Sequence, residues 1–382
     1  MRATRALIHL DHLRHNIALV REHTGRRICM PVKAGAYGHG ALPAARTALA
    51  AGVEYLAVAT VPEGEELRKG GIAAPILLLS IPLPEEIPAL AAAGLEPLAG
   101  DEEYIDALEK AAANPRRADL SGAEKSGLSG RKLPVHLKID TGMGRIGCGP
   151  GEAAALASRI AGSKSLRLAG IATHLAASDS TLESDAAYTE KQLDAFRSAV
   201  ESVRARGVDP GVVHAANTGG VCFYPGAWFD MVRPGILLYG YAPEDPRGRP
   251  ALGVQPLMEL ESRLSFIKEV KKGRTVSYGR TWTAGEDTLL GTIPAGYADG
   301  LSRGLGNNWS VLAGGTERPL AGRICMDQCM IDLGRDSDAR RWDPVTIFGG
   351  RIHAGIMAER LGTIPYEVTC AVSGRVPRVY VD

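Results

Sequence analysis

Lys33 closes a short apolar run, ICMPV, and is followed at once by a small-residue turn, AGAYGHG. An ammonium at the end of a buried strand is costly. A desolvated lysine gives up its proton readily and forms a Schiff base with an aldehyde cofactor. Gly35, Gly38 and Gly40 would let backbone pass close to a bulky ligand. Two readings stand side by side: a lysine held covalently by a cofactor, and a snorkelling lysine before a glycine-rich turn. Further reactive or cationic side chains close other apolar runs. Lys138, Asp140 and Arg145 lie in LKIDTGMGRIG, His174 in IATHLAAS, Asn217 and Thr218 in NTGG, and Arg233 in MVRPG.

These residues must be positioned by something, and the hydrophobic pattern supplies it. Eight apolar runs alternate with amphipathic stretches: ICMPVK, YLAVAT, PILLLS, LEPLA, VHLKID, LAGIATH, VVHAAN and MVRPGILLYG. Strands alternating with helices in this number predict an α/β chain folded as a (β/α)8 TIM barrel. Functional residues of such barrels gather at the C-terminal strand ends, and phosphate sits between the last two loops. Lys33, Lys138, His174, Asn217 with Thr218, and Arg233 all fall at strand ends, which packing alone does not explain. NTGG and the loop with Gly235 and Ile236 form the corresponding anion nest. After Pro243 the pattern changes. EDPRGRPALGVQP reads as a linker, and the runs beyond it predict a mainly β C-terminal domain. The division is therefore 1–243 for the barrel and 244–382 for the β domain, with TRALIHL free to pair with the second domain instead. Residues 114–133, rich in Ser, Gly, Arg and Lys, read as a surface insertion.

Bulk properties narrow the function classes. With 45% hydrophobic and 23% charged residues and a net charge of +1, nothing favours nucleic acid or a membrane surface. The N-terminus lacks an apolar targeting segment. Six scattered cysteines read as reduced thiols in a cytoplasmic protein. Cys325 and Cys329 have no second pair to complete a metal site. Asp11, His12 and His15 read as capping and solvent-facing groups of a first helix, so no metal is expected.

The segments MPVKAGAYGHG, LKIDTGMGRIG, MVRPGILLYG, VSYG, AGYADG and RICMDQCMIDL resemble, from about Leu10 to Val381, the motifs of alanine racemases, fold-type III enzymes that use pyridoxal 5'-phosphate. The resemblance implies Lys33 and Tyr278 as the two catalytic bases, one on each face of the substrate carbon. It implies Lys33, Tyr37, Arg145, His174, Asn217, Thr218, Arg233, Gly235 and Ile236 as the cofactor site, with Arg233 at the pyridine nitrogen. His174 and Arg233 would relay to Tyr278. Arg145, Tyr297, Met326 and Asp327 would bind the amino acid, and Lys138 is a candidate for carbamylation. It further implies a homodimer with shared active sites and a supply of D-alanine for peptidoglycan. Departures occur at Gly35, where the family has asparagine, and at Gly374, which replaces a tyrosine or serine and predicts a roomier pocket. The alternatives are a serine or broad-specificity racemase, a decarboxylase on the same architecture, and a non-catalytic pyridoxal-phosphate carrier. Arg233 argues against the decarboxylase, and Tyr278 with the CMDQ segment against the carrier.

Overall fold

The computed structural model describes residues 2–113, 132–244 and 252–382. Most of the expected insertion (114–131) and part of the expected linker (245–251) lie outside them. The chain opens with strand β1 (Arg5–His9) and helix α1 (Leu10–Thr24). Eight parallel strands follow: β2 (Arg27–Pro31), β3 (Tyr55–Val58), β4 (Ile76–Leu78), β5 (Glu96–Ala99), β6 (Leu133–Lys138), β7 (Leu166–Ala172), β8 (Val212–His214) and β9 (Met231–Val232). Their order in one sheet is β8-β7-β6-β5-β4-β3-β2-β9. The seam between β8 and β9 is bridged by Asp230 N–H to the Val213 carbonyl (3.0 Å) and Val213 N–H to the Asp230 carboxylate (2.8 Å). All eight expected runs thus form one nearly closed barrel.

The second domain contributes β10 (Met258–Arg263), β11 (Phe266–Val270), β12 (Thr275–Val276), β13 (Trp282–Thr283), β14 (Thr288–Ile293), β15 (Ser310–Ala313), β16 (Thr316–Pro319), β17 (Cys329–Gly334), β18 (Pro344–Phe348) and β19 (Arg378–Val381). β1 pairs antiparallel with β10 and parallel with β19, so the first strand belongs to a sheet of the second domain. Helix α1 is then pinned to the connection between the domains. Asn16 donates to the Leu238 and Gln255 carbonyls, while His12 and His15 bond the Pro256 and Gly253 carbonyls. The two histidines therefore hold chain rather than simply facing solvent, and Asp11 does not cap the helix, whose N-cap is His9.

Two features of the second domain depart from a simple run of strands. RICMDQCMIDL is strand only from Cys329; Cys325–Gln328 is a turn closed by the Cys325 N–H to the Gln328 carbonyl (2.9 Å). The helix Pro365–Ala371 near the end of the chain was not anticipated, and it bears directly on the site.

Candidate active site

Lys33 lies just beyond β2, and the backbone after it is unusual. Ala34, Gly35, Ala36 and Tyr37 all have positive φ, between 52° and 60°, forming a left-handed turn. Such a conformation costs non-glycine residues roughly 1–2 kcal/mol each, so neighbouring bonds must hold it. The Glu63 carboxylate accepts from the Ala34 N–H (2.6 Å), and buried His39 donates from Nδ1 to the carbonyls of Ala36 and Tyr37 (2.9 Å each). Gly38 packs so closely on the Thr369 carbonyl that no Cβ fits. Gly35 has nothing near a hypothetical Cβ. Its role is conformational, and asparagine, which visits this region more readily than other non-glycine residues, is the next best fit.

The turn sets Lys33 into a cavity of about 470 Å³ at the C-terminal mouth of the barrel, within the size range of ligand pockets. Lys138, Arg145, His174, Asn217, Thr218, Arg233 and Gly235 line the same cavity. Sequence-distant groups from five strand ends therefore converge. Burial, with Arg145 nearby, lowers the affinity of Lys33 for its proton against the opposing pull of Glu63. Lys138 is pushed down to about 8 by burial, then by Arg233 and Arg145, against the pull of Asp140. Its Nζ donates to the Ile139 carbonyl (2.9 Å).

Arg233 is buried, and every bond it makes is a donation: to His214 Nδ1 (2.6 Å) and to the carbonyls of Thr173 (2.7 Å) and Ala215 (3.1 Å). His174 Nδ1 stands 3.5 Å away. Burial, Arg233, Arg145, Lys138 and Lys33 push His174 down to about 3, so it is neutral at physiological pH. Arginine cannot act as a proton acceptor, and a ring nitrogen facing Arg233 would meet a donor only.

Opposite Lys33 the pocket offers an anion cradle. Among the described residues, the backbone N–H groups of Thr218, Gly219, Gly235 and Ile236 have no acceptor within the chain. A Cβ at Gly235 would stand 3.2 Å from the Tyr37 hydroxyl and 3.7 Å from Thr218 Oγ1, so glycine leaves that space open. The Asn217 side chain is spent on architecture. Its Oδ1 accepts from Ser178 and the Gly220 N–H, and its Nδ2 donates to the Leu175 carbonyl. Tyr366 was missed by the sequence reading. It projects from the Pro365–Ala371 helix into the cavity, its hydroxyl is directed to Thr218, and its ring lies tilted 5.7 Å from that of Tyr37. Gly374 is exposed and does not line the cavity, so the roomier pocket expected there is not found; a phenol is supplied from position 366 instead.

The second-domain candidates are not brought to this cavity. Tyr278, Met326 and Tyr297 are 68%, 53% and 43% exposed, and none lines the pocket. Tyr278 is nevertheless held firmly. Ser277 before it has φ 65° and ψ 177°, a region nearly reserved for glycine. Its hydroxyl donates to the Arg323 carbonyl (2.6 Å), and Asn307 ties Thr281 to Gly322. The Met326 N–H has no acceptor among the described residues, and Asp327 is engaged by Arg375 (2.8 Å).

Comparison with known proteins covers both domains. Residues 8–243 match the family described as "Alanine racemase, N-terminal domain" and residues 257–380 the "Alanine racemase, C-terminal domain". An alanine racemase of Treponema denticola is 47% identical, covering 100% of this chain and 99% of its own; one of Treponema pallidum is 42% identical, covering 100% of both. Alanine racemase from Streptomyces lavendulae superposes with a TM-score of 0.89 at 34% identity, covering 100% of this chain and 98% of its own. The Bacillus anthracis enzyme with bound L-Ala-P gives 0.86 at 33%, covering 100% and 96%. With both domains matched and full-length relatives this similar, the chain belongs to the alanine racemase family.

Proposed function

We propose that this chain interconverts L- and D-alanine with pyridoxal 5'-phosphate held at the barrel mouth, supplying D-alanine for peptidoglycan. The observation that carries this reading is the cavity itself: a lysine whose hold on its proton is weakened by burial, a cradle of free N–H groups and a donor-only arginine face one space. The residues fit the cofactor. Thr218, Gly235, Ile236 and Tyr37 would take its phosphate, Arg233 its ring nitrogen, Arg145 its phenolic oxygen, and Lys33 its aldehyde carbon. When bound, pyridoxal phosphate supplies an electron sink that makes the α-proton of an amino acid removable.

The chain's own groups then divide the work. Lys33 holds or takes the α-proton on one face, and Tyr278 does so on the other. Positioned acid–base groups of this kind contribute roughly 10²–10⁴-fold. The neutral His174, whose Nδ1 faces the Arg233 donor, keeps its proton on Nε2 and would donate it in a hydrogen bond to the Tyr278 oxygen, which favours the deprotonated, basic form of the phenol. The Met326 N–H and Arg145 hold the substrate carboxylate, with Tyr297 and Asp327 at the rim. The exposure of Tyr278, Tyr297 and Met326 supports their delivery to a second copy of the chain, in a homodimer whose sites are shared. A carbamate on Lys138 would give Arg145 an anionic partner. The six cysteines form no disulfide, which supports a reducing, cytoplasmic setting, and no helix among the described residues is long and apolar enough to cross a membrane.

The test is direct. Protein purified with pyridoxal phosphate should absorb visible light, borohydride should fix the cofactor on the peptide containing Lys33, and chiral analysis over a panel of L-amino acids should find D-alanine as the main product. Fixation on another lysine, or a product other than alanine, overturns the reading.

A further inference from the structure

A chain of polar side chains runs through the inside of the barrel, away from the cavity. Arg233 Nη1 donates to His214 Nδ1 (2.6 Å). His214 Nε2 is 2.9 Å from His136 Nδ1, and His136 Nε2 is 3.0 Å from Glu96 Oε2. All four residues are buried. The two ends dictate the protons between them. Arginine can only donate, so His214 Nδ1 must be bare and its proton must sit on Nε2. That proton points at His136 Nδ1, which must also be bare, so His136 carries its proton on Nε2 and gives it to the Glu96 carboxylate. Both imidazoles are neutral and share one tautomer. A cation stands at one end and an anion at the other.

The fold makes room for this line. Glu96 opens β5, His136 lies mid-strand in β6, His214 ends β8 and Arg233 follows β9, so the line crosses from the far end of the barrel to its mouth. To pass from β6 to β8 it must cross β7. There it meets Gly170, paired in register with His136, where a Cβ would fall onto His136 Nδ1. The other titratable groups around the line are neutral or engaged elsewhere. Burial raises the thiol of Cys29, which faces both Arg233 and Glu96, to about 12, and burial also raises Tyr55. Arg68, within electrostatic reach of Glu96, spends its guanidinium on the carbonyls of Ile72, Ala74, Ala93 and Gly94. Lys138 lies on the Arg233 side.

We propose that Glu96 is the remote counter-charge of Arg233, coupled to it through His136 and His214, and that this line sets how strongly Arg233 acts on the cofactor's ring nitrogen. Glu96 and His136 are positioning residues; neither touches the cavity. The inference rests on the pyridoxal-phosphate reading above. A carboxylate directly at the ring nitrogen would protonate it, whereas a carboxylate three links away balances a buried cation without offering the ring a proton.

Glu96→Gln tests it, because the amide oxygen still accepts from His136 while the charge is gone. Nitrogen-15 spectra of the imidazoles, on apoprotein and cofactor-loaded protein, read the line itself. In the wild type both histidines should carry the proton on Nε2. In Glu96→Gln the Nε2–H signals of His136 and then of His214 should shift. The pH titration of the bound cofactor's visible band should move to lower pH by about half a unit or more, since removing an anion disfavours nearby protonation. Arg145, Glu63 and Cys370 around Lys33 are the same in both proteins and cancel. A proton on His214 Nδ1, an unmoved His214 signal, or an unmoved band titration overturns the proposal. The wild-type spectra alone decide the tautomers should the variant not fold. Failure to take up pyridoxal phosphate, with the imidazole signals as described, would instead sink the functional reading on which the proposal stands.

Discussion

Lys33 and Tyr278, assigned to opposite faces of one substrate carbon, do not meet within a single chain. Lys33 lines the barrel cavity, and Tyr278 stands exposed on the strained turn after β12. A strained backbone held by three side-chain bonds is an expensive way to display a tyrosine to solvent. The arrangement makes sense when the cavity it serves belongs to a neighbour.

The first expected outcome follows from that separation. Lys33→Ala and Tyr278→Ala proteins are each inactive, but a mixed dimer holds one site with both residues intact. After random subunit exchange, half the dimers are mixed, so about a quarter of wild-type racemisation should return. Exchange is confirmed with differently tagged subunits. No recovery despite demonstrated exchange would place both bases in one chain.

The second concerns direction. If Tyr278 serves one face only, Tyr278→Phe should slow α-proton exchange from one enantiomer far more than from the other. Exchange into deuterated water, followed separately from L- and D-alanine, should fall roughly 10²–10⁴-fold for L-alanine and much less for D-alanine. Equal loss from both would leave Lys33 as a single base.

Much of this site was legible because barrel strands advertise their ends. A polar residue closing an apolar run needs no tertiary knowledge to be placed at the mouth, and Lys33, Lys138, His174, Thr218 and Arg233 were all found that way. Tyr366 was not, because its place depends on the second domain returning to the barrel. The close approach of Gly38 to the Thr369 backbone, and the Arg378 bond to the Gly38 carbonyl (3.0 Å), make that contact. The signal available was modest: an aromatic directly after the proline that starts a short helix. The same blindness misled the reading of Gly374, which looked like a missing phenol only because the phenol's true source lay out of view. Glu96 and His136 were passed over for another reason. Inside an apolar run, a polar residue reads as an interruption, and only the pairing of β5 with β6, which sets Leu98 beside His136, shows that two such interruptions are bonded.

The third outcome tests the left-handed turn. Gly35 has φ 60° and open space where a Cβ would go, so substitution acts through the backbone alone. Gly35→Ala should cost about 1–2 kcal/mol of stability. Gly35→Asn should cost less, because asparagine visits this region, and Gly35→Val more, because β-branched residues are outliers there. Urea unfolding at fixed protein concentration measures all three. If alanine is as stable as glycine, the turn is not left-handed at this position.

The last outcome concerns pH and Lys138. Burial, Arg233 and Arg145 push its ammonium down to about 8, which sets the direction of the effect. Below that value the group is mostly the cation, pressed against two guanidinium groups. As pH rises through it the amine appears, and only the amine reacts with carbon dioxide, losing one proton as the N–C bond of a carbamate forms. The product is an anion beside Arg145, so the like-charge contact becomes an attraction. Protein equilibrated with carbon-13 bicarbonate should therefore show a carbamate resonance that is strong near pH 8.5, weak near pH 6.5, and missing in Lys138→Arg. Because Lys138 lines the cavity, pyridoxal phosphate bound first should slow the appearance of that resonance. A wild-type spectrum with no signal that the substitution removes, at either pH, would leave Lys138 as a plain amine donating to the Ile139 carbonyl, and Arg145 would have to be positioned by the cofactor alone.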